Sequence, residues 1–279
     1  MNKYCLINQK LLPENQAKIS INERGFLFGD GIFETCKIFA GKIYDYEAHE
    51  NRIKAGLKVL KFSAKIDDLK NDSLKLIKKN KIENGILRIS ISRGIGSLGY
   101  LPSQISKPLT VIQTFATRIL PAKISLGVSS IKKPNSNSFP IFCKTTNALP
   151  SILTKLEAKE KNLFDSIIIS NKNFICETSS ANIFWVKNNK IYTPSKSCGL
   201  LPGTIRKKLL KISPIKIKEV KAKLNILKNA DEIFLTNSSA LIITVDELHW
   251  NKKIKKLQKT WGNKLLKLME EDVEKSCKK

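Results

Sequence analysis

The sequence predicts an α+β protein of two lobes, a smaller N-terminal lobe that mixes strands with helices and a larger, mostly β C-terminal lobe. Three observations carry this. The chain has 279 residues, long for one compact core and short for three. Its first half holds two segments of helical period among strand-like runs, whereas its second half is a succession of short Ile-, Val- and Phe-rich runs. Between the halves, Arg118-Ile-Leu-Pro121 carries a proline of the kind that ends an element. The N-terminal α+β domain is accordingly expected at 1–117, the linker at 118–123 and the C-terminal domain at 124–279.

In the first lobe, 4–7 and 31–39 alternate or run apolar and read as strands. The stretch 48–60 sets Ile53, Leu57 and Leu60 on one helical face, and 66–79 repeats that pattern. Strands follow at 86–92 and 109–117. In the second lobe strands are expected at 124–128, 166–170, 174–176, 182–186, 191–193, 215–219, 233–236 and 241–245, several joined by Asn/Lys turns that suit hairpins. Helices are expected at 148–161 and 204–211, and again where Leu257, Trp261, Leu265 and Leu268 keep helical spacing. The last residues, 270–279, read as a solvated helix end.

Net charge is the loudest feature: 50 Lys and Arg against 24 Asp and Glu give +26. Only six of these cations are Arg, and the lysines are spread along the chain, so the excess reads as biased composition. A nucleic-acid reader would favour Arg, whose fork reaches phosphate and guanine bidentately. A basic nucleic-acid-binding protein is therefore the disfavoured alternative, while small anionic substrates are attracted. The cysteines, at 5, 36, 143, 176, 198 and 277, form no C-x-x-C pair, and His49 and His249 are the only histidines. Neither a metal site nor a disulfide is expected. No apolar run approaches the length that spans a bilayer, and the first residues lack a secretory core, so the expectation is a cytoplasmic protein with no membrane partner.

Gly94-Ile-Gly-Ser-Leu-Gly99 matches the dinucleotide fingerprint G-x-G-x-x-G in letters only. It runs into Tyr100-Leu-Pro102 where a phosphate-binding helix should start, and no acid occurs between Glu83 and Glu157 to hold a ribose. A flexible glycine loop between two strands is the plain alternative, and a loop over an active site the useful one.

Three features suggest chemistry. Lys144, in Phe139-Pro-Ile-Phe-Cys-Lys-Thr-Thr-Asn147, interrupts an apolar segment with no acid nearby in sequence. Desolvation should lower its pKa and make it a nucleophile or base, although a lysine snorkelling from a strand edge would look the same. Glu177 opens a polar turn after a strand, where a carboxylate suits a heterocyclic nitrogen or simply steadies the turn. Gly199-Leu-Leu-Pro-Gly-Thr-Ile-Arg206 runs a glycine turn straight into a helix, whose free N–H groups suit a phosphate.

Taken together, these segments resemble the class IV aminotransferase family of fold-type IV pyridoxal-phosphate enzymes over nearly the whole chain. Arg24-Gly-Phe-Leu-Phe-Gly-Asp-Gly-Ile-Phe-Glu34 is similar to that family's N-terminal signature, His49-Glu-Asn-Arg52 to its phosphate-arginine helix and Lys144-Thr-Thr-Asn147 to its cofactor-lysine segment. The resemblance implies the D-amino-acid-aminotransferase-like fold, pyridoxal 5'-phosphate as cofactor, a small anionic substrate and a homodimer whose 94–100 loop lies near the partner's cofactor. It implies that Lys144 carries the cofactor and moves the substrate proton and that Glu177 holds the ring nitrogen protonated. Arg52, the N–H groups of Thr204 and Ile205, Ser180 and Ser238 complete the cofactor set.

Within the family, Phe28-Gly-Asp-Gly-Ile-Phe-Glu-Thr35 and Ser92-Arg-Gly-Ile-Gly-Ser-Leu-Gly-Tyr100 most resemble the 4-amino-4-deoxychorismate lyases, which release pyruvate and 4-aminobenzoate for folate synthesis. Thr35 is then a catalytic candidate, and Phe28, Arg93 and Tyr100 are candidates for binding substrate. Such lyases carry an arginine where this chain has Leu98, so another cation, Arg93 or a lysine, is expected to hold the substrate carboxylate. The alternative is an aminotransferase acting on branched-chain or D-amino acids.

Overall fold

The computed structural model describes residues 3–103, 107–134, 140 and 142–278. The chain forms two compact units: Met1–Arg118 with Cys143–Asn147 and Val273–Lys279, and Ile119–Phe142 with Ala148–Asp272. The continuous part of the first unit ends at Arg118. Two segments expected in the C-terminal domain, 143–147 and 273–279, instead belong with the first unit, because non-local pairing leaves no mark in composition.

The first unit is a six-stranded sheet with two long helices. Its elements are β1 (Tyr4–Ile7), β2 (Lys10–Pro13), the short α1 (Arg24–Phe28), β3 (Gly31–Phe39), β4 (Lys42–Ile43), α2 (Tyr46–Val59), α3 (Leu69–Lys79), β5 (Gly85–Ser92) and β6 (Leu109–Ala116). The sheet order is β2-β1-β6-β5-β3-β4, antiparallel throughout. Along β3, Ile32, Cys36 and Ile38 are buried and alternate with half-exposed Phe33, Thr35 and Lys37. Along β5, Leu87, Ile89 and Ile91 do the same. These residues form one core with Ile53 and Leu57 of α2 and Leu69, Leu76 and Ile77 of α3. One sheet face is thereby sealed, and the β3 and β5 side chains of the other face are half-buried.

The second unit carries β7 (Ser125–Lys133), α4 (Leu149–Glu160), β8 (Asp165–Ser170), β9 (Ile175–Thr178), β10 (Asn182–Lys187), β11 (Lys190–Pro194), α5 (Thr204–Ile212), β12 (Lys218–Val220), β13 (Glu232–Asn237), β14 (Leu241–Thr244), β15 (Glu247–Trp250), β16 (Lys253–Lys256) and, up to Asp272, the helix α6 (Thr260–Lys278). Its ten-stranded sheet runs β12-β11-β10-β9-β8-β7-β15-β16, with β13 paired to β10 and β14. Ile183, Phe184, Trp185 and Val186 of β10 are all buried, which explains a continuous apolar run in place of alternation.

Several boundaries differ from the sequence expectation, each for a physical reason. The strand expected at 124–128 continues to Lys133, because β8 and β15 both hydrogen-bond to β7 in parallel. The strand expected at 215–219 shrinks to Lys218–Val220, following Pro214. Helix α1, with five residues, is too short to show a period. The β15–β16 hairpin turns through Asn251 and Lys252, both at positive φ, and its lysines mask the strand pattern. The C-terminal helix end is not simply solvated: Met269, Val273 and Cys277, spaced four apart, are buried. All six cysteines are buried free thiols. Among the described residues no helix is long and apolar enough to cross a membrane, and no group of His, Cys, Asp or Glu is arranged to hold a metal ion.

Candidate active site

In the first unit, β4 pairs only with the far end of β3, so the nearer part of that edge is available to the lysine segment. Phe33 N donates to the Lys144 carbonyl at 2.9 Å, Thr146 N donates to Gly31 O at 2.9 Å, and Thr146 Oγ1 donates to Gly29 O at 2.7 Å. Side chains alternate across such a pairing. Cys143 therefore turns toward α2, its Sγ 4.0 Å from Gly56 O, while the Lys144 ammonium lies over the Phe33 ring, 4.3 Å from its centroid.

Two further residues share the sheet face that carries Phe33. Thr35 lies two residues beyond Phe33, and its cross-strand partner is Arg88 of β5. The Arg88 guanidinium lies 4.1 Å from the centroid of the same Phe33 ring. Arg88 makes no hydrogen bond or ion pair with any described residue, and burial lowers its pKa from the usual arginine value. A half-buried cation without an acceptor is costly, and an anionic ligand would relieve that cost. The sequence reading missed Arg88. Only its rarity, one of six arginines in a lysine-rich chain, could have drawn notice.

Arg52 lies on the helix side of the same strand. Its Nε and Nη2 donate to Glu34 Oε1 and Oε2 at 2.6 and 2.7 Å, and His49 Nδ1 lies 2.7 Å from Oε2. Burial pushes the Glu34 carboxyl upward, but Arg52 and His49 outweigh it and bring the pKa down from 4.5 to about 2. A lowered acid pKa contributes stability that is fully present above 4.5 and is lost as pH falls from there toward about 2. For this group the contribution is about 3 kcal/mol. Glu34→Gln is therefore expected to lower the thermal midpoint at pH 7 and to flatten its dependence on pH between about 5 and 2. Thermal melts across that range check this, and parallel curves for the two proteins would contradict it.

Arg93 is not available to a substrate. Its Nε and Nη2 donate to the two Asp30 oxygens at 2.7 and 3.1 Å, Nη2 also reaches Leu60 O at 2.7 Å, Nη1 reaches Lys61 O at 3.4 Å, and the guanidinium covers the Phe62 ring. Every nitrogen is committed, which corrects its expected role as a carboxylate binder. Arg24 approaches Asp30 from the other side, with Nε at 3.0 Å, and pins the glycine loop by donating to the Gly99 and Tyr100 carbonyls at 2.8 and 2.9 Å. Phe28 and Tyr100 meet with ring centroids 5.8 Å apart. Glu23 adds a bond from Gly94 N to its Oε1 at 3.1 Å. At Gly94, with φ +95°, a Cβ would fall 1.9 Å from Lys107 O, so this loop is a pinned turn rather than a slack connection. Leu98 is 92% exposed at its tip.

The second unit holds the other candidates. Both Glu177 oxygens are engaged: Lys133 Nζ lies 2.6 Å from Oε1, while Oε2 accepts Leu201 N at 3.0 Å and Asn182 Nδ2 at 3.2 Å. Asn182 Nδ2 also donates to Leu201 O at 2.8 Å. Its Oδ1 fills the space beside Gly203, where a Cβ would sit only 2.2 Å away. The carboxylate and the start of α5 are thus joined through one asparagine. At that helix start no side chain caps Gly203, and Thr204 Oγ1 lies 3.2 Å from Ser238 Oγ. Ile205 is buried, so its backbone N–H is what it can offer. Ser180 stands apart. It is exposed and bonds to no described residue, whereas its neighbour Ser179 is tied to Asp165 Oδ2 at 2.9 Å.

These donors suit a phosphorylated pyridine. Oε2 of Glu177 has filled both acceptor directions, but Oε1 beside Lys133 keeps one for a ring N–H. The start of α5, with two hydroxyls, offers uncapped N–H groups to a phosphate.

Comparison with known proteins points the same way. The family model for amino-transferase class IV matches residues 31–248. A putative branched-chain-amino-acid aminotransferase of Methanocaldococcus jannaschii is 28% identical over 254 residues, covering 87% of this chain and 86% of that protein. An aminodeoxychorismate lyase of Vibrio harveyi is also 28% identical, over 241 residues, covering 80% of this chain and 84% of that one. A branched-chain amino acid aminotransferase of T.th., solved with pyridoxamine 5'-phosphate, shares the fold with a TM-score of 0.89 at 19% identity, over 100% of this chain and 96% of the other. Equal identity to a transferase and a lyase leaves the choice between them to the site.

Proposed function

The chain belongs to the class IV aminotransferase family of pyridoxal-phosphate-dependent enzymes, and from that membership we propose that it acts as a 4-amino-4-deoxychorismate lyase, releasing pyruvate and 4-aminobenzoate. The observation that carries this reading is Arg88. It is a half-buried cation with no acceptor among the described residues, shares the Phe33 ring with Lys144 and pairs across strands with Thr35. The substrate of such a lyase bears two carboxylates, and Arg88 is suited to one of them in a bidentate pair.

Each residue then has a stated task. Bound pyridoxal phosphate supplies an electron sink for the carbon that loses its proton. Lys144 carries the cofactor and takes the proton from the amine-bearing carbon of the substrate. Glu177 receives the ring N–H on Oε1, while Asn182 and Leu201 N hold its Oε2 in place. Arg52, the amides of Thr204 and Ile205, and Ser238 hold the phosphate. Thr35, on the Arg88 face, positions a proton or a water for release of pyruvate. The homodimer, with the 94–100 loop near the partner's cofactor, belongs to the same reading. The exposure of Leu98, Tyr100 and Leu101 supports it, and light scattering that finds an active monomer under turnover conditions would refute it.

The deciding assay supplies enzymatically generated aminodeoxychorismate and follows 4-aminobenzoate and pyruvate, with branched-chain and D-amino acids plus 2-oxoglutarate run beside it. Pyruvate release without an amino acceptor is expected. Turnover confined to an amino-acid and oxoacid pair would make the protein a transaminase, and Arg88 would then serve a dicarboxylic acceptor. Because the net charge is +26, kcat/KM for the dianion should fall between roughly 0.01 and 0.3 M salt while kcat stays level. An equal response for a zwitterionic substrate would remove the charge argument.

A further inference from the structure

We propose that Lys133 sets the proton affinity of the pair formed by Glu177 and the ring nitrogen it receives. This rests on the reading of Glu177 above. Lys133 is the last residue of β7, and its ammonium reaches across β8 to Glu177 of β9. The pair is 2.6 Å apart, with side chains 15% and 8% exposed. Such a contact is stronger than a surface ion pair and is screened little by salt.

The other described groups that hydrogen-bond the carboxylate are uncharged. Asn182 Nδ2 and Leu201 N donate to Oε2. The neighbouring Cys176 thiol is pushed up to about 12 by burial, by Glu177 and by Cys198, so it stays protonated, and it donates to the Cys198 carbonyl. Lys133 is therefore the cation that faces Glu177 among the described residues.

The ammonium beside Oε1 leaves that oxygen one acceptor direction for a ring N–H. The same positive charge opposes a second cation on that oxygen, so it weakens the hold of the pair on the shared proton. Lys133 thus makes the ring nitrogen give up its proton at lower pH than Glu177 alone would. It is a positioning residue that acts through Glu177.

The test loads wild type, Lys133→Met, Lys133→Gln, Lys133→Arg and Glu177→Gln with pyridoxal phosphate labelled with ¹⁵N in the ring. The ring ¹⁵N shift is followed against pH, with the dissociation constant for pyridoxal phosphate measured alongside. Lys133→Met and Lys133→Gln are each expected to raise the titration midpoint by about one pH unit, and Lys133→Arg to leave it within a few tenths. Gln keeps a donor without charge, so agreement between the two neutral variants assigns the effect to charge, and either suffices if the other does not fold. Midpoints unchanged in the neutral variants, with Glu177→Gln shifted, would overturn the role of Lys133 and leave Glu177 in place. If Glu177→Gln also matches wild type, or the wild type binds no pyridoxal phosphate, the reading of Glu177 falls and the role of Lys133 with it.

Discussion

Lys144→Ala is expected to give a folded protein that holds no covalently bound cofactor and turns over more slowly by about 10⁴-fold. The fold should survive because the segment is held by main-chain bonds, Phe33 N to the Lys144 carbonyl and Thr146 N to Gly31 O, which truncation does not touch. What is removed is an ammonium lying on the Phe33 ring, and with it, on the proposed reading, both the covalent attachment and the base. Borohydride reduction followed by peptide mass mapping checks this directly: wild type should carry the label on Lys144, and the variant should carry none. A label on another lysine of the variant would relocate the site. The many lysines of this chain make that an informative control.

Glu177→Gln should lower kcat by about 10² to 10³ while weakening pyridoxal-phosphate binding only several-fold. The asymmetry has a physical source. Gln is nearly isosteric and can still accept from Leu201 N, so the Asn182 link to the start of α5 is kept. The negative charge is lost, and its value is realised mainly when electrons move onto the ring, that is, in the transition state. Pre-steady-state turnover of the loaded enzyme, beside equilibrium dialysis, separates the two quantities. An unchanged kcat would take Glu177 out of the chemistry, and a complete loss of cofactor would make it a binding residue.

The Arg93 result shows how far residue type and spacing carry. Arg93 precedes the glycine loop in a segment that resembles the lyases, and a missing arginine at Leu98 made it a reasonable substitute. In the structure its three nitrogens go to Asp30, Leu60 and Lys61, partners 63, 33 and 32 positions away in sequence. Arg88, five residues earlier, alternates onto the half-buried face of the sheet, against the Phe33 ring. Nothing in the local pattern separates these two arginines, because each lies on a strand of alternating polarity or just past its end.

The sequence by itself determined the strands whose alternation or apolar run is set by neighbouring residues, and the motif set that places the chain in its family. Those features are local: a strand's period, a glycine turn entering a helix, a lysine among apolar residues. Only the tertiary structure decided that 143–147 pairs with β3, that Glu34 is buried beside Arg52 and His49, that Lys133 meets Glu177 across β8, and that half-buried Arg88 has no acceptor among the described residues. Each depends on strand register and on charge partners distant in sequence. A shift of one residue would turn every such side chain to the other face.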